Sequence, residues 1–279
     1  MTSPAPTKTH THRVPATPGP SYRGFATPAI VLLLLLVLGG AGTAGRAQGS
    51  ELTDPDSLGL TGSERLAALI TRADDARQRN DPLWARFEQT EEGPLQLEPE
   101  ISRGTLVLAQ PNRARWDFDT PEAITLLVTD TALTTWFRDR DRVERRVLGE
   151  RGSRMVAMMA GGGSLAELEK RFRIRATFPG VDDSDAPYRL DLEPRSRRLA
   201  RRLAGLSLTL DRRRFVPLEV TIRGADGTVT TLRLSDVEAQ VELGPDVFEP
   251  AWGPEVEVVD LTDGESGTGR LSTGPGGAP

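Results

Sequence analysis

From residue 83 to residue 238, apolar and polar side chains alternate in about eleven short runs with polar turns between them. The runs are 83–90, 101–109, 113–119, 123–129, 132–138, 142–148, 171–178, 187–193, 206–211, 216–223 and 228–238. No βαβ spacing is present, so the runs predict an antiparallel sheet. A sheet of so many strands tends to curl on itself. The pattern therefore predicts a mainly β fold with a single strongly curved sheet, an incomplete β-barrel.

Helical patterns occur before the first run and in the middle of the series. Apolar residues at helical spacing between Glu64 and Arg79 predict an amphipathic helix that ends at Asn80-Asp81-Pro82. Residues 153–171 predict two short helices joined by a flexible glycine hinge. The hinge is Gly161, Gly162 and Gly163, and the apolar helix residues are Met155, Val156, Met158, Met159, Leu165 and Leu168. Such helices can cover the open face of the curled sheet.

The N-terminal part of the chain has the pattern of an export signal. A cationic leader precedes the apolar run Ala29–Leu38, and small residues follow it. Cleavage is predicted after Ala47, with Ala44 as the second choice. The alternative is an uncleaved inner-membrane anchor, but the apolar run reaches ~20 residues only when its glycines are counted. Either way, the remaining chain is exported, and a periplasmic location is expected.

The predicted organisation follows from these patterns. Residues 1–47 form the signal, 48–61 a polar linker, 62–258 a folded domain and 259–279 a disordered tail rich in Gly, Ser and Thr.

Composition excludes several classes of function. The chain has no cysteine, and both histidines, His10 and His12, lie in the leader. Histidine-dependent catalysis and histidine or thiolate metal sites are therefore not expected, and we predict no catalytic residue, metal or cofactor. Without the four basic residues of the leader, the chain carries 31 basic against 40 acidic residues. This acidic balance argues against nucleic acid as a partner.

An arginine-rich stretch, 195–214, allows two interpretations. Leu199, Leu203 and Leu206 recur there at helical spacing, which is compatible with a short amphipathic helix. The arginines could form a solvated face, or they could dock on lipid headgroups or on an acidic partner.

The alternation also defines candidate binding residues. Ala114, Trp116 and Phe118 share one face of their strand, and Ile124, Leu126 and Val128 share one face of the next. Such a face could simply pack on the helices, or it could form a concave surface that takes up an acyl chain. The methionines of 155–159 are similarly open to two interpretations, as core residues or as a mobile lid, because methionine adapts to varied apolar partners.

Several motifs, taken in order, resemble those of the periplasmic outer-membrane lipoprotein carrier family of LolA type. The matching elements run over about residues 64–258. They are Phe87-Glu88-Gln89, Gly104 to Leu108 followed by Gln110 to Trp116, Leu127 to Asp130, Leu133 to Phe137, the 154–160 helix, Phe248-Glu249-Pro250 and Glu255 to Val258.

The resemblance implies a non-enzymatic carrier with a helical lid, expected to act as a monomer. Such a carrier takes lipoproteins by their acyl chains from an inner-membrane ABC-type releasing complex and delivers them to an outer-membrane receptor. The implied lipid-binding residues are Ala114, Trp116, Phe118, Ile124, Leu126, Val128 and Trp136. The helices with Met155, Val156, Met158, Met159, Leu165 and Leu168 would form the lid.

One position departs from the family pattern. Members of the family have an arginine that holds the lid shut, and Gln110 occupies that position here. An amide offers fewer donors than a guanidinium, so the lid is predicted to open more easily. Two other functions stay open: an envelope protein of the same fold that senses lipids or proteins without transferring lipoproteins, and an exported hydrolase.

Overall fold

The structure is a computed structural model, and it describes residues 52–110, 113–129, 131–147, 165–180, 183, 185–249 and 252–261. The predicted signal with its cleavage site at Ala47 lies outside the described residues, as does most of the predicted tail. No helix among the described residues is long and apolar enough to cross a membrane.

Twelve strands form one sheet in the described part of the chain. They are β1 Leu83–Glu92, β2 Glu100–Ala109, β3 Arg113–Thr120, β4 Ile124–Val128, β5 Ala132–Phe137, β6 Arg142–Val147, β7 Phe172–Thr177, β8 Tyr188–Pro194, β9 Leu203–Leu210, β10 Pro217–Gly224, β11 Val229–Ala239 and β12 Glu257–Leu261. Their order across the sheet is β12-β6-β5-β4-β3-β2-β1-β11-β10-β9-β8-β7.

The predicted mainly β, antiparallel architecture is confirmed, with one exception at an edge. Every neighbouring pair from β6 to β7 across the sheet is antiparallel, and only β12 pairs in parallel, with β6. The strands β12 and β7 are the two edges and do not pair with each other, so the barrel is open. Strand β12 continues to Leu261, which extends the folded domain past the predicted boundary at 258.

Pairing places most of the apolar side chains on one face, which we call the inner face. The register joins Ala85 to Leu106, Leu106 to Trp116 and Trp116 to Leu126, so these side chains project to the same side. Further apolar residues on this face are Tyr188, Leu190, Leu192, Leu206, Leu208, Leu210, Val220, Ile222, Leu232 and Leu234. The opposite side is the outer face.

Helix α1, Gly62–Arg79, packs its apolar residues on the inner face. It begins with a capping box, in which the Thr61 side chain accepts from the backbone of Glu64 and the Glu64 carboxylate accepts from the backbone of Thr61. Leu69 and Ile70 are buried in the same core as the inner-face residues. The predicted amphipathic helix is confirmed.

Two shorter α-helices, α2 Leu165–Glu169 and α3 Arg197–Ala200, and a 3₁₀-helix at Arg138–Arg140 complete the described helical structure. The backbone N–H of Leu165 donates to Asp74 of α1 over 2.8 Å, which joins α2 to α1. The helical spacing of Leu199, Leu203 and Leu206 was misleading. Helix α3 ends at Ala200, and Leu203 already begins β9. Leu203 and Leu206 are three residues apart and would lie on opposite faces of a regular strand, but a register shift opposite Arg223 and Gly224 of β10 falls between them, and both are buried in the core.

The segment between β11 and β12 lies against the outer face of β3 and β5. Arg115 donates to the carbonyl oxygen of Val247 over 3.0 Å, and the Arg113 guanidinium lies 4.9 Å from the centre of the Phe248 ring. Trp252 meets Trp136 edge to face at 5.3 Å between ring centres. This segment therefore covers part of the outer face.

Candidate functional site

Three aromatic rings form the centre of the inner face. Phe87 contacts both Trp116 and Phe118 edge to face, at 5.1 and 5.0 Å between ring centres. The rings come from β1 and β3, and Gly104 of β2 lies between Phe87 and Phe118 in the register. Because glycine has no side chain, the rings can meet across the intervening strand.

Six of the seven predicted lipid-binding residues lie together on this face. Ala114, Trp116 and Phe118 of β3 pair with Val128, Leu126 and Ile124 of β4, respectively. All are buried except Ile124, which is partly buried and packs against the same core. Their use by a ligand remains a prediction.

Trp136, the seventh predicted residue, lies on the outer face. It pairs with Thr125 of β4, whereas Thr135 pairs with Leu126 of the inner face. Sequence alternation could not place Trp136 correctly, because its strand carries large apolar residues on both faces. On the outer face, the Trp136 ring is in edge-to-face contact with Trp252, which lies just before β12.

The apolar inner face extends well beyond the predicted residues. Strands β8, β9 and β10 contribute Leu190, Leu208 and Val220, which are joined in register and are almost fully buried. Their alternation was visible in the sequence. No resemblance to a motif pointed to them, however, and they were not included in the predicted site.

Polar groups interrupt the inner face at one end of the central strands. Gln89, Ser102 and Thr230 are buried there, and Gln89 pairs with Ser102. The Gln89 Oε1 atom and the Trp116 Nε1 atom are buried, and neither has a hydrogen-bond partner in the described structure.

Glu91 lies two residues after Gln89 on the same face of β1, and the pKa of its carboxyl group is raised. Burial raises the pKa of its carboxyl group, and the nearby carboxylates of Glu100 and Asp226 raise it further. The polar end of the inner face is therefore an environment that disfavours additional negative charge.

The predicted lid falls mostly outside the described residues. Met155, Val156, Met158 and Met159 lie outside them, as do the hinge residues Gly161, Gly162 and Gly163. Leu165 and Leu168 are described, and both are buried in the core with the inner-face residues.

Gln110, the predicted latch position, follows the end of β2. Its backbone N–H donates to the Asp81 carboxylate over 2.8 Å, just beyond the end of α1. This bond ties the end of β2 to the end of the helix. The predicted effect of Gln110 on a lid is not tested by this contact.

The outer face has a different chemistry, dominated by ion pairs. Arg115 contacts Asp117 at 2.6 Å, and the Thr125 hydroxyl donates to the same carboxylate at 2.6 Å. Among the described residues, no group of three or more His, Asp or Glu side chains is arranged to hold a metal ion. The inner face instead is apolar apart from a few polar groups, and it forms one buried core with residues of α1 and α2.

Comparisons with known proteins place this chain in a family. The family model described as outer membrane lipoprotein carrier protein LolA matches residues 80–251. This chain belongs to the LolA family. An outer-membrane lipoprotein carrier protein of Alkalilimnicola ehrlichii is 33% identical over 190 residues, which cover 67% of this chain and 83% of that protein.

Two solved structures are also similar to this member of the LolA family. An uncharacterized conserved protein from Thermus thermophilus has a TM-score of 0.46 and 10% identity, and the match covers 70% of this chain and 99% of that one. A LolA superfamily protein from Nitrosomonas europaea has a TM-score of 0.36 and 13% identity, with 68% and 97% covered.

Proposed function

We propose that this protein binds the acyl chains of lipoproteins on its inner face and carries them through the periplasm from the inner to the outer membrane. The observation that carries the proposal is the continuous apolar inner face, which runs from β4 through the aromatic centre to β8. Family membership supports the same function, since the named relative is a lipoprotein carrier.

The energetics of burial suit such a carrier. Each CH₂ group removed from water contributes about 0.8 kcal/mol, so a long acyl chain gains considerably from a sheltered surface. Binding of this kind needs no cofactor and no covalent step, and we assign no catalytic residue to the site.

The acyl chain must compete with the helices for the inner face. Leu165 and Leu168 of α2 are buried in the same core as Trp116 and Leu126. A helix of five residues contributes little stability by itself, so its burial depends on these side chains. We infer that the ligand replaces Leu165 and Leu168 on the inner face.

The partners follow from the carrier function. An inner-membrane ABC-type releasing complex would supply the lipoprotein, and an outer-membrane receptor would accept it. The protein would act between them as a soluble monomer in the periplasm.

Two isosteric substitutions test the site. Val128 on the inner face and Val143 on the outer face are both almost fully buried, so Val128→Thr and Val143→Thr each place one hydroxyl in a buried apolar site. We expect Val128→Thr to weaken binding of a fluorescent fatty acid at least about fivefold, because the hydroxyl would face the acyl chain. Val143→Thr should lose similar stability but keep its affinity.

Lipids that copurify with the exported protein should be identified by mass spectrometry in parallel. Bound acyl chains or lipoprotein support a carrier. Equal fatty acid affinity in the two variants would show that the inner face is not the binding site. A protein that binds no acyl chain would favour an envelope sensor of the same fold.

A further inference from the structure

Gln89 is an amide side chain on the mostly apolar inner face. It lies on β1 two residues after Phe87, on the same face, and only 2% of its surface is exposed. Its neighbours in the register are Ser102 on β2 and Leu232 on β11. Gln89 is thus enclosed at the centre of the sheet.

One atom of the Gln89 amide lacks a hydrogen-bond partner in the described part of the protein. Its Oε1 atom has no hydrogen-bond partner among the described residues. A buried acceptor without a donor destabilises a folded protein, and buried polar groups are nearly always paired for that reason. An unpaired acceptor on a proposed ligand-binding face is therefore a candidate for a bond to the ligand.

Polar neighbours distinguish this position from an isolated defect in packing. Ser102 and Thr230 are both buried, and they lie on the inner face beside Gln89 and Glu91. We call Gln89, Ser102 and Thr230 the polar group. Hydroxyl side chains can donate and accept, so the polar group can adjust to a bound polar substituent in a way that leucine cannot.

We propose that the polar group is a subsite for a hydrogen-bond donor carried by the acyl ligand, with Gln89 Oε1 as its acceptor. The inference rests on the proposed acyl-binding function and specifies the ligand class: an acyl chain that bears an amide N–H or a hydroxyl group. An acyl chain without a donor would bind the same face but leave Oε1 unpaired. Gln89 is then the residue that discriminates between the two kinds of chain.

Two matched pairs of probes separate the possible donors. N-palmitoylglycine methyl ester carries an amide N–H, whereas N-palmitoylsarcosine methyl ester carries an N-methyl group at the same position. 12-Hydroxystearic acid and 12-methoxystearic acid form a second pair for the hydroxyl group. In at least one pair, we expect the protein to bind the probe with the donor about two- to tenfold more tightly than the methylated probe. This range corresponds to the free energy of one neutral hydrogen bond.

The variant Gln89→Leu removes the acceptor with little change in volume. In this variant the preference for the donor should disappear, while the methylated probes bind as they do to the wild type. The thermal unfolding midpoint should rise, because an unpaired buried amide has been replaced by an apolar side chain. A purely structural role for Gln89 predicts a lower midpoint instead. Gln96→Leu makes the same change at an exposed position and should alter neither property.

The outcomes distinguish this inference from the proposed function. Equal affinity for both members of each pair in the wild type overturns the subsite but leaves acyl binding intact. A preference that persists in Gln89→Leu also overturns it. If none of the four probes binds, acyl binding itself fails and the subsite fails with it.

Discussion

The hydroxyl group of Tyr188, at the start of β8, donates a hydrogen bond of 2.6 Å to Oδ2 of Asp56. The same carboxylate receives Arg212 at 2.9 Å, and its other oxygen receives Arg65 of α1 at 2.9 Å. Asp56 belongs to the stretch 48–61 that the sequence predicts to be a linker. One carboxylate therefore joins the segment before α1 to the helix and to the sheet.

Tyr188→Phe should measure the strength of this connection. The ring would keep its contacts with Phe178 and Phe215, at 6.0 and 5.7 Å between centres, and would lose only the hydroxyl. A hydrogen bond to a charged group contributes about 1.5–3 kcal/mol, and we expect the free energy of unfolding to fall by about that amount. Urea denaturation at pH 7 measures it, and an unchanged free energy would contradict the bond.

The same carboxylate predicts an acid-sensitive contribution to stability. Burial opposes ionisation of Asp56, but hydrogen bonds from Tyr188, Arg212 and Arg65 outweigh it and lower the pKa of the carboxyl group. A lowered pKa gives stability that is present above the unfolded-state value of 3.8 and is lost as the pH falls through the folded-state value.

The variant Asp56→Asn isolates this contribution. It should be less stable than the wild type at pH 7, and the difference should narrow as the pH is lowered below about 4. Urea denaturation of both proteins at several pH values provides the comparison. A difference independent of pH would mean that the charge of Asp56 is not responsible.

The contribution of Glu91 to stability should depend on pH in the opposite direction. Its raised pKa, caused first by burial and then by Glu100 and Asp226, means that the folded protein holds the proton more tightly than the unfolded chain. The associated stability is present below the unfolded-state pKa of 4.5 and is lost as the pH rises through the folded-state value. At pH 7 the ionised carboxylate is therefore destabilising.

Glu91→Gln should accordingly raise the thermal unfolding midpoint at pH 7 and bring little gain at pH 4. The neighbouring exposed residue provides the control, since Glu92→Gln removes one charge from the same strand without a buried carboxylate. Differential scanning calorimetry at both pH values tests the prediction. Equal gains in the two variants would indicate an effect of net charge instead.

The sequence was sufficient to predict the sheet and much of the inner face. Alternation identified Ala114, Trp116 and Phe118 as one group, and the register confirms that they share a face. Alternation works in such strands because one face is apolar and the other is charged, so only one orientation buries the apolar side chains.

The sequence analysis was wrong or incomplete where residues distant in sequence determine the contacts of a side chain. Trp136 was predicted to bind lipid together with residues of the inner face, but it lies on the outer face, where it contacts Trp252, more than one hundred residues away in sequence. The importance of Asp56 was missed for the same reason, since Tyr188 and Arg212 reach it from remote strands and loops. Periodicity describes one strand at a time and carries no information about such partners.

Among the described glycines, Gly104 is the position where we expect a side chain to be tolerated least. A Cβ atom built there would lie 1.8 Å from the carbonyl oxygen of Asp117, a backbone atom of the neighbouring strand. The register shifts between Arg103 and Gly104, so β3 approaches β2 closely at this irregularity. A side chain at 104 would force the two strands apart beneath the rings of Phe87 and Phe118.

Gly104→Ala is therefore expected to lower the free energy of unfolding by more than about 3 kcal/mol, at the severe end for a single substitution. Gly205→Ala is the matched control in another strand. Its Cβ atom would lie 3.5 Å from the Leu192 carbonyl oxygen, an ordinary contact, and alanine should there be neutral or stabilise by up to about 1 kcal/mol. Urea denaturation of both variants tests the pair. Similar stability of the two variants would show that β2 and β3 do not approach as closely as described. The packing of Phe87 against Phe118 across Gly104 would then need another explanation.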